Sequence, residues 1–356
     1  MKECKVRSKY FENLDEMTKE YFSILSDEFP DFLYKYIDTK EMQRQDGISV
    51  GCSSFYSKLF NNKLWFSNLD HSVGVALIVW HFTKDKKQTL AGLFHDIATP
   101  AFKHCIDFMN GDYEKQESTE DLTRKFIEES EEIMNLLDRD GIKIEEVSDY
   151  HIYPIADNDT PMLSADRLEY TLSNGFGVRE ELWDLEEVRK IYQNIEIQKN
   201  ENGIDELGFK DKALAEKFVK GMSVLAIVYM TNELRFSMQF LADIMKKMSD
   251  EKLISKSDLY RLSEKELIEK IENCNLYNIS ENFNIWRNAT RIKESDTLVE
   301  DKYCVGVKAK VRYIIPLVKV QDKYIRINEV SESAAEDIKK VVNYTVRNYA
   351  YLDFNF

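Results

Sequence analysis

The sequence predicts a mainly α-helical protein carrying one small β-hairpin near its C-terminal end, on three observations. Apolar residues recur at three-to-four spacing through most of the chain, which marks helices with one buried stripe. The runs HSVGVALIVWHFT at 71–83 and KKQTLAGLFHDI at 86–97 are apolar enough to be core helices. The clearest alternation of period two lies at 303–317, where Tyr303, Val305, Val307, Ala309, Val311, Tyr313, Ile315 and Leu317 hold every odd position, a pattern that a strand presents as one face.

The chain has 356 residues, 43% of them hydrophobic and 32% charged. That is ordinary for a globular protein and suits about two folding units at roughly 150 residues each. The expected organisation is an N-terminal helical extension over 1–50, a core over 51–185, a helical C-terminal region over 186–301, and a hairpin with a terminal helix over 302–356. Leu14, Met17, Tyr21, Phe22 and Leu25 form the buried stripe of the first helix. DGISVGCSSFY at 46–56, with two glycines and several small polar residues, reads as a loop. Pro100 stops the helix at 86–97. Leu122, Phe126, Ile133 and Leu137 give an amphipathic helix over 119–138, and MLSADRLEYTLS at 162–173 gives another. Residues 211–248 predict one long buried helix, broken at most near Gly221. Pro316 places the end of the alternating strand at an edge or bulge, Gln321 to Lys323 turn the chain, and YIRINEV at 324–330 returns. Ser331 is the expected N-cap of a last helix over 332–347.

Forty-nine Lys and Arg stand against 64 Asp and Glu, a formal net charge of -15. Such a surface repels polyanions and argues against bulk nucleic-acid binding, but a bound cation sets the local field whatever the outer surface does. The five cysteines are odd in number and show no CxxC pair, so disulfide and zinc-knuckle readings are weak. The apolar runs are far shorter than a membrane span, and the start has no apolar signal core, so a reducing, cytoplasmic location is expected.

Chemistry concentrates at His95-Asp96, because imidazole and carboxylate suit borderline divalent cations such as Mn, Fe, Co, Ni and Zn. Neighbouring helical residues diverge by about 100°, so one helix cannot enclose a metal with both, and ligands must come from other helices. His71 opens one such helix. Asp166 lies on another, among Met162, Leu163 and Leu168, where an unpaired carboxylate would be costly to bury and a metal would remove the cost.

The ordered pattern His71, His95-Asp96, Asp166, in the settings DHSVGVAL, LAGLFHDIATPAFKH and SADRLEYTL, resembles the HD-domain phosphohydrolase superfamily, nearest its deoxynucleoside triphosphate triphosphohydrolase-like branch. The likeness runs over about 65–175, inside the expected core. It implies an HD-domain helical bundle in which His71, His95, Asp96 and Asp166 hold one divalent ion, whether Mn, Fe, Ni, Co, Zn or Mg. It further implies hydrolysis of a phosphate ester or anhydride bond in a nucleotide or other small phosphorylated substrate, and association into a homo-oligomer. With a metal held there, Asp96 is expected to orient the attacking water. The leaving oxygen has His104, Lys103, Asp107, Glu117 and His151 as candidate partners, of which family position favours His104 and Glu117. Lys103, Arg167 and Tyr170, the last one helical turn beyond Asp166, are expected to contact substrate. The chain departs from that branch at Asn68, which stands for an Arg, at Thr99 and Gln116, which stand for His, at Asn174, which stands for an Asp, and at Arg167, which stands for a Lys.

Two competing functions use the same residues. A phosphodiesterase or nuclease would require Lys308, Lys310 and Arg312 to line a groove leading to the metal, although a solvated sheet face is the commoner explanation of such a row. A non-catalytic nucleotide-binding regulator would account for the imidazoles replaced at Thr99 and Gln116. His81, about 80° round the helix from His71, is expected to pack rather than ligate, and His151 likewise.

Overall fold

The computed structural model describes residues 8–116 and 122–356, and over them the chain is mainly helical. Helix α1 (Glu16–Leu25) starts at Asp15, whose carboxylate accepts from the Thr18 N–H at 3.0 Å. Helix α2 (Asn68–Thr83) opens on a reciprocal cap. The Ser67 hydroxyl accepts from the Asp70 N–H, and the Asp70 carboxylate accepts from the Ser67 N–H, satisfying two orphan donors of the first turn. Lys84, at φ 51°, reverses the chain into α3 (Lys86–Phe94), capped by Asp85. A Cβ on Gly92 would stand 3.3 Å from Val75 and 3.4 Å from Val79, so the missing side chain lets α2 and α3 approach closely.

Short helix α4 (Cys105–Met109) follows. The segment expected as one helix over 119–138 is two, α5 (Thr123–Glu129) and α6 (Glu131–Asp140), with its first residues outside the described range. The division falls at Ser130, whose extended backbone ends one helix while its hydroxyl caps the next. Helix α7 (Ala165–Ser173) is capped by Ser164 and leads into a wide turn over 174–178.

The long helix expected over 211–248 is also two, α8 (Lys212–Tyr229) and α9 (Asn232–Asp250), and the break is at Met230–Thr231 rather than near Gly221. Gly221 stays helical because a Cβ there would collide with the Trp183 ring, so its role is close packing. Helices α10 (Glu264–Glu272), α11 (Tyr277–Asn288) and α12 (Glu332–Val342, capped by Ser331) complete the helical part used below.

Strands β1 (Ile195–Lys199) and β2 (Asp205–Phe209) form a hairpin that the sequence reading passed over. The alternating run at 303–317 is not one strand. Its ends are β4 (Tyr303–Val305) and β5 (Leu317–Val320), and 306–316 lies in no strand or helix. The expected C-terminal hairpin is present in shorter form, as β5 paired with β6 (Lys323–Arg326), with Leu317 opposite Arg326, while Ile327–Val330, expected in the returning strand, is a short helix. The hairpin joins the earlier one in a four-stranded sheet of order β1-β2-β5-β6. The β2–β5 contact is parallel. The last helix ends at Val342, short of 347, because the chain leaves to form β7 (Tyr349–Leu352), the centre of a second sheet of order β3-β7-β4, with β3 at Lys293–Ser295.

Buried side chains gather in two clusters. One joins α1, α2, α3, α7 and α8 through residues such as Tyr21, Phe66, Phe94, Leu168 and Phe218. The other joins α4, α9, α10, α11 and the three-stranded sheet through Phe102, Phe236, Phe240 and Trp286. The loop 95–104 passes from the first cluster to the second, and it carries the residues of greatest chemical interest.

Candidate metal centre

Three helices aim their ends at one point. His71 sits in the first turn of α2, Asp166 in the first turn of α7, and His95 caps the C-terminus of α3 with Asp96 directly after it. The His71 and His95 Nε2 atoms are 3.2 Å apart, and Asp166 Oδ1 lies 3.1 Å from the first and 3.8 Å from the second. Asp96 Oδ2 is 3.7 Å from His95 Nε2. Ligand atoms of His71, His95 and Asp96 all fall within 4.8 Å of one another, the spacing of a cation site.

The donor set fits a divalent ion for a reason beyond proximity. His95 Nδ1 is 2.7 Å from the Gly92 carbonyl, and His71 Nδ1 contacts the Glu169 carboxylate, so both rings place their N–H outward. In the neutral tautomers so fixed, two Nε2 lone pairs and two carboxylates converge and repel one another, and Lys103, on Asp96 Oδ2 at 2.9 Å, is the cation that contacts one of them. A cation in the middle relieves that repulsion, and outward hydrogen bonds of this kind orient metal-ligating imidazoles. Without a metal a proton takes the place: burial lowers His71, but Glu169 and Asp166 outweigh it and hold the ring up at about 10. Burial pushes Asp96 up, yet Lys103 and the two imidazoles carry it well below the usual carboxylate range, and Asp166 is lowered against the same burial by His71 and His95.

Glu169 is the support that the sequence reading missed. It is fully buried, one turn after Asp166 on α7, and also accepts from the Tyr21 hydroxyl at 3.0 Å. Its sequence signal was a glutamate on the apolar face of SADRLEYTL, where an acid needs a partner.

The cavity over the cluster measures about 210 Å³ and is lined on its cationic side by Lys103, Arg179, Lys310 and Arg312. Lys103 Nζ is 2.9 Å from Asp96 Oδ2 and also contacts Asn68 Oδ1. Arg312 Nη2 donates to Gln116 Oε1 at 2.7 Å and stands 3.4 Å from His104 Nε2. His104 Nδ1 is 2.9 Å from Asp107, and burial, opposed by Asp107, lowers this ring's pKa, so its neutral form presents Nε2 to the cavity. The less polar side is Tyr170, Tyr229, Leu234 and Met238.

Of the residues expected at the site, His71, His95, Asp96, Asp166, Lys103, His104 and Tyr170 line this cavity together. Arg167 is on α7 but turns away: its Nε donates to the Met162 carbonyl at 2.7 Å, and its guanidinium pairs with Asp157 at 3.2 Å, outside the cavity lining. Glu117 lies outside the described residues. Arg179 was not expected as a site residue, and Arg312 was raised only in the cationic row of the nuclease alternative; both line the cavity. His81 packs on Tyr192 and Phe82, and His151 pairs with Asp149 at 3.0 Å and lies against Tyr150; neither histidine lines the cavity.

No protein-family model matches the chain. The uncharacterized protein YdhJ of Bacillus subtilis (strain 168) is 27% identical over 311 residues, covering 84% of this chain and 88% of that one. A hypothetical protein from Aquifex aeolicus superposes with a TM-score of 0.64 at 17% identity, covering 91% of this chain and 93% of its own. A phosphohydrolase from Bacteroides thetaiotaomicron VPI-5482 superposes with a TM-score of 0.61 at 13% identity, covering 90% and 94%. The fold along nearly the whole chain is therefore one that a phosphohydrolase also adopts. Among the described residues no helix is long and apolar enough to cross a membrane.

Proposed function

We propose that this protein is an HD-type, metal-dependent phosphohydrolase acting on a nucleotide or another small phosphate ester, with His71, His95, Asp96 and Asp166 as the metal ligands. The observation that carries the reading is the cluster of inward Nε2 atoms and carboxylates with its Nδ1 atoms occupied from outside. The phosphohydrolase with the same fold supports it. A divalent ion bound there supplies an acidified water and polarises a phosphoryl oxygen.

The chain's own groups do the rest. Lys103 and Arg312 face the same cavity from opposite segments and neutralise phosphoryl oxygens in a partly enclosed site, where fixed charges count for more than in water. His104 Nε2 is the proton-handling atom on this side, with its ring held by Asp107. Glu117 is the second proton-handling group of the same reading. Tyr170 and Tyr229 offer ring faces to the organic part of the substrate.

A small substrate fits better than a nucleic-acid chain, because the cationic row is split. Lys310 and Arg312 line the metal cavity, whereas Lys308 lines a different one. The test is elemental analysis of the purified protein with a screen of nucleotides, phosphomonoesters and a single-stranded oligonucleotide against Mn, Ni, Co, Mg and Zn. The expected result is metal-dependent release of phosphate or pyrophosphate, lost in Asp166→Ala with the circular dichroism unchanged. Absence of turnover with every metal, or turnover that survives Asp166→Ala, refutes it.

A further inference from the structure

Phe102 and Lys103 stand consecutively in the left-handed region of the backbone, at φ 63° and 45°. Residues with a Cβ occupy that region rarely and at a cost, and they persist there only where the surroundings over-determine them. From this turn the Lys103 side chain runs back to the metal cluster, with Nζ 2.9 Å from Asp96 Oδ2 and in contact with Asn68 Oδ1.

The support for the turn comes from 162 positions away. Glu264, in the first turn of α10, is fully buried, and its Oε1 accepts from the Phe102 N–H at 2.9 Å. Its Oε2 accepts from the Ser49 N–H at 3.0 Å and from the Tyr56 hydroxyl. Ser49 bridges to Ser67, the cap of α2, and beside it the Ile48 carbonyl accepts from the Asn68 N–H at 2.7 Å. One carboxylate therefore spans the segment that carries Lys103 and the segment that carries its acceptor Asn68. Other bonds brace the approach to the turn: Arg44 Nη1 donates to the Thr99 carbonyl at 2.8 Å, and the Ala101 N–H donates to the Leu259 carbonyl at 2.8 Å. Glu264 is bonded inside the turn itself. Burying a carboxylate is costly unless its oxygens are met, and here they are met by the backbone of the two segments that frame Lys103.

We propose that Glu264 is a positioning residue for Lys103: with the Phe102 N–H on one oxygen and the Ser49 N–H on the other, it fixes the Lys103 ammonium between Asp96 and Asn68, where it meets the phosphoryl group of the substrate. The role of Lys103 in this account rests on the phosphohydrolase reading above; the hold on the turn does not.

The test has two arms, both on the full chain. Amide exchange of the metal-free protein reads the turn. The Phe102 N–H is expected to exchange about 100-fold or more below the rate of an unstructured peptide. It is expected to speed up about tenfold or more in Glu264→Met, which keeps the length of the side chain and removes both acceptors. Turnover reads the ammonium. Glu264→Met should lower kcat/KM about tenfold or more on its own, but by less than about twofold in a Lys103→Met background, since a residue that acts through Lys103 then has nothing left to place. A carboxylate that only stabilises the fold would cost the same in both backgrounds. Should Glu264→Met not fold, the wild-type exchange and the same cycle with Glu264→Gln carry the test, because a single amide oxygen cannot serve both N–H groups. A Phe102 amide that exchanges at the unstructured rate, one that Glu264→Met leaves unchanged, or additive losses in the cycle overturn the proposal. Absence of turnover in the wild type refutes the proposed function instead, and the exchange arm still decides whether Glu264 holds the turn.

Discussion

Replacing Glu169 tests the metal centre from behind. Glu169→Gln keeps an oxygen for the His71 Nδ1–H and reverses the Tyr21 contact, the amide now donating to the hydroxyl oxygen, so the shape of the contact survives while the charge is lost. Outward carboxylates on ligating imidazoles are worth about 10- to 100-fold in metal affinity, roughly 1.4 to 2.7 kcal/mol. The variant is therefore expected to bind Mn that much more weakly while unfolding in urea near the wild-type midpoint. Glu169→Ala differs in kind. It leaves the His71 N–H and the Tyr21 hydroxyl buried without an acceptor, at about 1–3 kcal/mol each, so metal-free stability falls by about 2–6 kcal/mol out of a typical 5–15. Metal titration followed by calorimetry, paired with urea unfolding of the metal-free proteins, separates the two effects. Glu169→Gln with Mn affinity within twofold of wild type would refute the reasoning, because the carboxylate would then be holding structure and not the ligand.

Three further outcomes follow from the same geometry. Gly74→Ala should destabilise by about 1–3 kcal/mol by overpacking, although alanine in a helix interior is ordinarily worth about 1 kcal/mol over glycine. The added Cβ would stand 2.7 Å from Glu169 Cγ and 2.9 Å from its Oε1, and urea unfolding reads the sign. Arg312→Ala should raise KM about tenfold or more with a smaller change in kcat, since a charge-assisted contact to a phosphoryl group exists before and during reaction, and steady-state kinetics on a hydrolysed ester checks it. Glu264 is a pH reporter. Burial pushes its carboxyl up to about 7 against hydrogen bonds from Tyr56 and from the Ser49 and Phe102 N–H groups. The folded state therefore holds this proton more tightly than the unfolded one. The resulting stabilisation is complete below the unfolded value of 4.5 and is lost as pH rises through about 7. Glu264→Gln should flatten that slope in urea midpoints taken across the interval, and an unchanged slope would assign it to other groups.

What was legible in the sequence depended on whether a residue's partner lay within its own element. His71, His95, Asp96 and Asp166 were readable because each stands at a helix start or end with a recognisable neighbourhood, and the structure brings all four to one point. Helices were readable where one face is apolar, but their breaks were not. Ser130 divides a helix by its backbone conformation, and the α8–α9 break depends on no glycine at all.

Arg312 shows the harder limit. Period two in 303–317 predicts side chains on alternating sides, but the run is strand only at its two ends, and Val307, Lys308 and Ala309 line one cavity together. A strand in a sheet would put Lys308, Lys310 and Arg312 in water. Here the middle of the run pairs with no strand and lines two cavities, Lys310 and Arg312 the one over the His–Asp cluster, and Val307, Lys308, Ala309 and Val311 the other. Lys310 and Arg312 line the cavity over the His–Asp cluster, which α9 also lines through Leu234 and Met238, a placement set by contacts far apart in sequence, such as Arg312 on His104 across 208 positions. Two of the three cations that suggested a solvated face thus add to the positive charge that Lys103 and Arg179 bring to that cavity. A single substitution separates the two accounts: Arg312→Glu should abolish phosphate-ester turnover if the side chain faces the reacting anion, and should change little if it faces solvent.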